Sequence, residues 1–307
     1  MRQRNVTLKD VAKRAGVSAM TVSRALSGKT SLVTDDTAER CRNAAKELGY
    51  VPNLMARSLR GEQLHTIVMF AEFISSHLYL AELVDCVSRS IESRGYSVIC
   101  CQSLSSFHQS LRQFNLGGAI VIAPPESFYS DPFGEQMVGP VSPPNTVLLH
   151  SALDQSDFSE VSPDISDFCY QAASYLFQLG HENIAYIGGP DDADEPQWFA
   201  LRRQGFLKAL SEHGFGPEAL IRQPCANPDM GPTALLQLMN RAPKTTGVLC
   251  ISDEIAIATV AGAQAQGLDV PGQLSVVGCN NVHLSKYVNP SLTTLSIDVP
   301  NMVEQAL

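Results

Sequence analysis

From Thr66 onward the chain alternates short apolar runs with longer helix-like stretches, and this alternation constrains its fold more than any other feature. The strand-like runs read TIVMF, YSVICC, GAIVIA, TVLLH, NIAYIGG, GVLCI and LSVVGC, and segments such as LAELVDCVSRSIESRG and ALRRQGFLKALSEHG lie between them. Strands that alternate with helices are typical of parallel sheets covered by helices on both faces. The sequence therefore predicts two α/β lobes, with the cleft between them as the natural ligand site.

The charge of the chain is divided unevenly, although the whole carries a net charge of -9. Residues 1–61 hold 12 lysines and arginines against 5 acidic residues, a net charge of +7, whereas residues 62–307 carry -16. A basic segment on an acidic body is typical of a chain of which one part meets a polyanion. The alternative is a basic helical unit that is merely solvated. We expect two parts, a head over residues 1–61 and a core over residues 62–307.

Motifs for catalysis and metal binding are absent from the sequence. GxSxG, HExxH, the Walker loop and GxGxxG do not occur, and the eight cysteines form no CxxC motif or Cys/His cluster. No run of about 18 apolar residues suits a membrane helix, and MRQRNVTLKD is not followed by the apolar segment of a signal peptide. We therefore expect no enzymatic activity, no metal or cofactor, no membrane association and no export.

The periodicity of the head predicts three short helices around one small core. The first helix has apolar residues at the i, i+3, i+4, i+7 spacing of one helical face, namely Leu8, Val11, Ala12 and Ala15. Gly16 suits the left-handed conformation that ends it, and Ser18 is a good N-cap for a second helix that buries Val22, Ala25 and Leu26. Thr34 is expected to cap a third helix that closes at Gly49. The first two helices predict a helix-turn-helix.

The sequence of the head is more specific than its periodicity. The runs TLKDVAKRAGVSAMTVSRALSG and LGYVPNLMARSLRG resemble the DNA-binding segment of the lac repressor (LacI/GalR) family of bacterial transcription regulators. In that family the second helix enters the major groove, and the segment after LGYVPN becomes a hinge helix that opens the minor groove. The resemblance implies an N-terminal all-α helix-turn-helix head that binds double-stranded DNA.

Individual DNA contacts follow from the resemblance position by position. Ala19, Met20 and Arg24 match the base-reading positions of the family. Arginine can pair bidentately with guanine, whereas alanine and methionine offer apolar contact, most naturally to a thymine methyl group. Met20 has the alternative of a core position. The hydroxyl residues placed to bond phosphates, or alternatively to cap helices, are Thr7, Ser18, Thr21 and Ser23.

The hinge segment is expected over residues 54–60. Asn53 is its predicted N-cap, and Arg57 lies within it. Leu59 matches the minor-groove leucine of the family, an apolar wedge that unstacks a base step and kinks the duplex. The alternative for Leu59 is an apolar contact with the core of the protein.

The core also contains runs that resemble this family, among them LGHENIAYIGGP, RQGFLKAL, DVPGQLSVVGCNN and NPSLTTL. The resemblance implies a two-lobed α/β core like that of the periplasmic binding proteins, several chain crossings between the lobes, and a homodimer. Two heads spaced one duplex turn apart would read a palindromic operator. The expected setting is the bacterial cytoplasm, in association with the nucleoid.

The resemblance also assigns an effector site. Arg202 matches the ligand-anchoring arginine of the family, and its guanidinium suits paired hydroxyls or a carboxylate. Asp253 matches an acidic position at the mouth of the second lobe. Trp198, the only tryptophan, lies one helical turn before Arg202 and would stack on a sugar face or belong to the core. The implied effector is a small metabolite, a sugar or a sugar acid.

Several positions depart from the family pattern and make the expected pocket less acidic. His150 and Asn280 stand where aspartates are usual, and Ser252 stands where asparagine is usual. Because these changes keep Arg202, they favour an acidic ligand with Arg202 as its counter-ion. The chain stops at Leu307, inside what should be its last helix, so the closing strand is expected to be missing.

Three functions remain open from the sequence. The first is a ligand-responsive transcriptional repressor, in which a metabolite in the core shifts the geometry of the lobes. The second is a degenerate regulator that binds DNA but no longer senses a ligand. The third is a sugar-binding protein without a role on DNA.

Overall fold

The computed structural model describes residues 6–26, 33–50, 65–72, 74, 77–114, 116–125, 127–128, 145–151, 158–189, 197–225 and 227–307. The chain divides into two compact units, Met1–Leu64 and His65–Leu307. The predicted boundary between residues 61 and 62 falls in the stretch 51–64, outside the described residues, and stays a prediction.

The described part of the first unit contains the helices α1 (Leu8–Ala15), α2 (Ala19–Leu26) and α3 (Asp35–Leu48). Gly16 ends α1 at φ 68°, in the left-handed conformation predicted for the turn. Ser18 begins α2 because its Oγ accepts a hydrogen bond from the backbone N–H of Thr21 at 3.1 Å. The predicted helix-turn-helix is confirmed.

One apolar core holds these three helices together. Its buried members are Val11, Ala12, Val22, Ala25, Ala38, Cys41, Ala44 and Ala45. Thr34 stands at the N-cap of α3 as predicted, but it caps no backbone group, since its hydroxyl donates to the hydroxyl of Thr37. Arg14 of α1 also pairs with Glu47 of α3 at 2.6 Å. This pair is exposed and contributes about 0–1 kcal/mol, so the apolar core provides most of the stability.

Lobe 1 of the second unit contains β1 (Thr66–Ala71), β2 (Ser97–Cys101), β3 (Gly118–Ile122), β4 (Thr146–Leu149) and β5 (Ser159–Val161). These strands form one parallel sheet in the order β2-β1-β3-β4-β5. Helix α4 (Leu78–Ser93) connects β1 to β2, and α5 (Leu104–Gln113) connects β2 to β3. All five residues of β3 are buried. A central parallel strand is apolar throughout because helices cover both of its faces.

Lobe 2 repeats this architecture. Its helices are α6 (Ile165–Gln178), α7 (Gln197–Glu212), α8 (Gly231–Arg241) and α9 (Asp253–Ala265). Its strands are β6 (Ile184–Ile187), β7 (Ile221–Gln223), β8 (Gly247–Cys250), β9 (Ser275–Asn280) and β10 (Thr293–Ser296). They pair in parallel in the order β10-β9-β8-β6-β7. The two predicted α/β lobes are therefore present.

The chain crosses between the lobes twice within the described residues. It leaves β5 of lobe 1 for α6 of lobe 2, and it leaves β10 of lobe 2 for α10 (Val299–Ala306). Met302 and Val303 of α10 are buried in the core of lobe 1, and Glu304 accepts a hydrogen bond from Arg94 at 2.8 Å. Over the described stretches, no helix combines the length and the apolar character that a bilayer crossing requires.

Candidate DNA-binding face and effector cleft

Helix α2 presents one exposed face to solvent. Met20 is 64% exposed, and Arg24, four residues later, is also exposed. Residues i and i+4 of a helix lie above one another, so the two side chains share this face. Val22 and Ala25 of the same helix are buried in the core of the head. Met20 is therefore not a core residue, and its contact with the major groove stays a prediction.

Three of the four hydroxyl residues predicted near phosphates, Thr7, Ser18 and Thr21, lie at helix starts, whereas Ser23 lies in the middle of α2. The hydroxyl and the backbone N–H of Thr7 both donate to Oδ2 of Asp10, at 2.6 and 2.8 Å, and the Asp10 N–H returns a bond to the Thr7 hydroxyl. This reciprocal arrangement is a capping box. The Ser18 hydroxyl lies 2.9 Å from that of Thr21. Thr7 and Ser18 thus cap helices, and phosphate contact by Thr7, Ser18, Thr21 and Ser23 stays a prediction.

The predicted hinge contacts lie outside the described residues. They are Asn53, Arg57 and Leu59, in the stretch 51–64. Their assignment to the minor groove stays a prediction.

Strained backbone marks the carboxyl ends of three strands in the second unit. Ala123 follows β3 at φ 46°, His150 follows β4 at φ 55°, and Asn280 and Asn281 lie at the end of β9 at φ 101° and 53°. Such conformations cost about 1–3 kcal/mol each in residues other than glycine, and they cluster at binding sites. Open parallel sheets bind ligands outside the carboxyl ends of their strands. This strain makes the cleft between the lobes the candidate effector site.

Three aromatic residues span this cleft. The ring of His150 in lobe 1 stacks on that of Trp198 in lobe 2, with centroids 4.7 Å apart and planes inclined by 26°. Tyr79 of α4 packs beside the same imidazole at 4.9 Å, and its hydroxyl lies 3.2 Å from Nδ1 of His150. We refer to Tyr79, His150 and Trp198 as the aromatic cluster. Sequence reasoning found two of its members and missed Tyr79, which carries no motif of its own.

Arg202 brings a positive charge next to the aromatic cluster. It lies one helical turn after Trp198 on α7, and its Nη1 donates to the Trp198 carbonyl oxygen at 3.3 Å. Its guanidinium lies 5.9 Å from the centroid of the Phe199 ring. Among the residues that the structure describes, Arg202 pairs with no carboxylate and the Asn280 side chain has no hydrogen-bond partner. Both groups are available to a ligand.

The two titratable side chains of the aromatic cluster, His150 and Tyr79, are neutral near pH 7. Burial, and to a smaller degree the positive charge of Arg202, lower the pKa of His150 to about 3. Burial raises the pKa of the Tyr79 hydroxyl. Arg202 is therefore the charged member of this group of four residues. Within the described ranges, no cluster of three or more histidine, cysteine or acidic side chains is arranged to hold a metal ion.

The lowered pKa of His150 predicts a loss of stability in acid. The unfolded chain binds a proton at His150 near pH 6.5, whereas the folded protein does so only near pH 3. Between these values the unfolded state holds more protons, so the free energy of unfolding falls with falling pH, by up to about 1.4 kcal/mol per pH unit. We expect His150→Asn to remove this dependence.

The measurement is urea unfolding of both proteins from pH 7 to pH 4. Asp253 acts in the opposite direction because burial raises its pKa to about 6, but it is present in both proteins and cancels in their difference. Parallel stability curves would show that folding does not lower the pKa of His150.

Ser252 and Asp253, both predicted as effector contacts, form hydrogen bonds within the protein. Ser252 caps α9, since its Oγ accepts a hydrogen bond from the N–H of Ile255 at 3.3 Å. Asp253 is fully buried. Its Oδ2 accepts from the N–H of Val282 at 2.7 Å, and its Oδ1 accepts from the Thr294 hydroxyl at 2.5 Å. Its two oxygens thus tie the start of α9 to β10 and to the loop that follows β9, and contact of Asp253 with an effector stays a prediction.

Two further carboxylates connect the lobes, and the sequence analysis named neither. Oε1 of Glu254 in α9 accepts a hydrogen bond from the N–H of Leu78 in α4 at 2.8 Å. Oε1 of Glu82 in α4 accepts from the N–H of His283 in lobe 2 at 2.9 Å. A carboxylate between the N-termini of α4 and α9 is favourable because both helix dipoles are positive there. No sequence signal identifies these pairs, whose members are 176 and 201 residues apart.

Comparisons with known proteins agree with both halves of this architecture. A family model described as "Bacterial regulatory proteins, lacI family" matches residues 7–53, and one described as "Periplasmic binding protein-like domain" matches residues 173–307. The HTH-type transcriptional repressor PurR of Proteus mirabilis (strain HI4320) is 34% identical over 297 residues, which cover 94% of this chain and 84% of that protein. The chain belongs to the LacI family.

Solved structures show the LacI-family fold. The Lac repressor dimer bound to operator and the anti-inducer ONPF matches with a TM-score of 0.81 at 24% identity, over 99% of this chain and 92% of that one. A PurR repressor from Photorhabdus laumondii is 32% identical over 94% of this chain and 84% of that protein. The predicted fold class is confirmed. This LacI-family chain is a DNA-binding transcriptional repressor regulated by a ligand.

Proposed function

We propose that this repressor binds a palindromic operator as a homodimer and that an anionic metabolite, such as a sugar acid or a sugar phosphate, controls it from the cleft. The observation that carries the proposal is Arg202, a guanidinium beside neutral aromatic groups with no carboxylate partner in the described residues. The proposed setting is the bacterial cytoplasm, on nucleoid DNA.

The exposed face of α2 supports base recognition in the major groove. Arg24 can donate two hydrogen bonds to O6 and N7 of guanine, and Met20 can contact a thymine methyl group together with Ala19. Thr7, Ser18 and Thr21 lie at the starts of α1 and α2, where hydroxyls and backbone N–H groups are suited to phosphates, and the hydroxyl of Ser23 in the second turn of α2 is a further candidate. The base contacts would specify the DNA sequence, and the phosphate contacts would position the helix on the duplex.

A dimer is supported by exposed apolar side chains on the second unit. Tyr287 is 67% exposed and Leu284 is 47% exposed, and both lie on or directly after the short 3-10 helix His283–Lys286. Glu82 in the second turn of α4 ties this helix to lobe 1, and Leu78, one turn earlier on α4, is also exposed. Exposed apolar side chains therefore lie on neighbouring parts of lobe 1 and lobe 2, and contact with a second copy of the chain would remove them from water.

The DNA assignment predicts a sequence-specific loss for Arg24→Ala. The variant should bind a selected operator about 5- to 150-fold more weakly, equivalent to about 1–3 kcal/mol, and should relax one base position in each half-site. Selection of duplexes from a random pool, followed by titration of the palindrome and of one isolated half-site, measures both effects.

Arg40→Ala is the matched control, since Arg40 carries the same charge on α3, where it pairs with Asp36. We expect it to weaken all sequences equally. If Arg24→Ala lost the same affinity on all sequences, Arg24 would be a phosphate contact. If the wild type bound the isolated half-site as tightly as the palindrome, binding of the operator by a dimer would be ruled out.

The effector assignment follows from the charge of the cleft. A neutral sugar is held by carboxylates that accept from its hydroxyls, whereas His150 and Asn280 supply no negative charge here. An anion would gain the guanidinium of Arg202 as its counter-ion. Calorimetric titration with gluconate, glucose 6-phosphate, glucose and a neutral purine base tests this. Tighter binding of either neutral compound would contradict the charge argument, and absence of binding in all four titrations would favour a regulator that no longer senses a ligand.

A further inference from the structure

The aromatic cluster places an indole from one lobe against an imidazole from the other. His150 is 7% exposed, with Tyr79 beside its ring and Trp198 stacked on it. A planar or ring-shaped ligand between the lobes would need the face of His150 that Trp198 covers. The indole of Trp198 thus occupies the surface of His150 on which such a ligand would stack.

Both partners of this stack are held in place. His150 is fixed by the Tyr79 hydroxyl and by its position at the carboxyl end of β4, at φ 55°. Trp198 is partly buried in the first turn of α7, where its carbonyl oxygen accepts a hydrogen bond from Arg202. The proposed anchor of the effector is therefore bonded to the residue that fills the cleft.

We propose that Trp198 is an intramolecular occupant of the effector cleft, which stacks on His150 in the unliganded protein and is displaced when an effector binds. This inference rests on the effector site proposed above. An anion that draws the Arg202 guanidinium toward itself breaks the hydrogen bond of 3.3 Å between Nη1 and the Trp198 carbonyl oxygen, so ligand capture by Arg202 removes one of the contacts that hold Trp198 in place. Binding at Arg202 and release of Trp198 are coupled in this way.

The displacement has a definite effect on affinity. An effector binds only the fraction of molecules in which the indole has left His150, and its apparent dissociation constant rises by the inverse of that fraction. Because a stacked aromatic pair has a modest interaction energy, removal of the indole should tighten binding by about two- to tenfold. The contacts of Glu254 with Leu78 and of Glu82 with His283 do not involve the indole and should persist.

The first experiment needs no ligand. Trp198 is the only tryptophan of the full chain, so acrylamide quenching of its fluorescence reports directly on the stack. His150→Ala should raise the quenching constant by about two- to threefold because the indole loses the surface that shields it. Tyr79→Phe removes only the hydroxyl that fixes His150, and it should produce a smaller increase. It also tests the stack if His150→Ala fails to fold, which circular dichroism would show.

His213→Ala is the matched control. His213 stacks on Phe177 within lobe 2, with centroids 4.6 Å apart and planes inclined by 22°, in the same kind of ring pair. Its loss should leave the quenching of Trp198 unchanged. If folded His150→Ala and Tyr79→Phe both match the wild type in quenching, Trp198 does not rest on His150 and the proposal is wrong.

The second experiment uses the titration of gluconate and glucose 6-phosphate. Trp198→Ala should bind the preferred compound about two- to tenfold more tightly than the wild type. In the wild type, the same compound should increase acrylamide quenching. Weaker binding by Trp198→Ala, together with a shielded indole in the complex, would make Trp198 a ligand platform and overturn the proposal.

The two experiments separate this inference from the proposed function. If neither compound binds, the anionic effector is contradicted, while the quenching of His150→Ala still decides whether Trp198 covers His150. If a compound binds but the ligand-free quenching shows no stack, the proposed effector site is supported and the proposal that Trp198 occupies it is wrong.

Discussion

Gly205→Ala is expected to lower the free energy of unfolding by about 3 kcal/mol or more. At Gly205 the helices α6 and α7 touch backbone to backbone. A Cβ atom there would lie 2.8 Å from the carbonyl carbon of Ser166 and 3.0 Å from the backbone nitrogen of Tyr170, and closer still to the Ser166 carbonyl oxygen. Backbone atoms cannot rotate away as a side chain does, so the two helices must separate. The gain of about 1 kcal/mol from alanine in a helix does not offset this.

Urea unfolding measures the change, with Ser211→Ala as the control. Ser211 is an exposed residue of the same helix, so this substitution should change stability by no more than about 0.5 kcal/mol. Because α7 also carries Trp198 and Arg202, any folded Gly205→Ala protein should respond less to effector. A loss below about 1 kcal/mol would show that α6 and α7 can move apart without disturbing the core of lobe 2.

Arg202→Ala is expected to weaken the binding of an anionic effector by about 30- to 1,000-fold, equivalent to about 2–4 kcal/mol. The substitution leaves the negative charge of the ligand among aromatic groups without a counter-ion. Arg202→Lys keeps the charge but not the planar pair of donors, and it should give an intermediate loss. Operator affinity in the absence of effector should stay close to that of the wild type, because the first unit is unchanged.

Calorimetry with gluconate and glucose 6-phosphate, followed by operator binding with and without the tighter compound, measures both effects. Arg203→Ala is the matched control, since it removes the same charge from the next, exposed residue of α7. Equal binding by the wild type and by Arg202→Ala would show that the ligand is anchored elsewhere.

Local features of the sequence predicted the head well. Gly16 and Ser18 determine the turn by their own backbone and hydroxyl preferences, and the buried residues of α1 and α2 follow helical spacing. These interactions join residues a few positions apart, so a short window of sequence contains them. Thr34 shows the limit of such reasoning, since its position was right but its hydroxyl found a different partner in Thr37.

In the core, local sequence also predicted the strands that are long and buried, but not the short strands at the sheet edges. Central strands such as β3, β6 and β8 are buried along their whole length and stand out as apolar runs. The short strands β5, β7 and β10, with sequences SEV, IRQ and TTLS, lie at sheet edges and were not predicted. An edge strand of three or four mixed residues has no periodicity long enough to distinguish it from a loop.

The sequence by itself determined the family, the helix-turn-helix, the two α/β lobes and the position of Arg202, because each rests on local pattern or on runs of matching residues. Only the tertiary structure decided what the site residues touch. It stacked His150 on Trp198, 48 positions away, bonded Tyr79 to the same imidazole, 71 positions away, and buried Asp253 against Thr294. Such contacts depend on how two sheets and their crossings bring distant strand ends together, and no local preference of the chain specifies them.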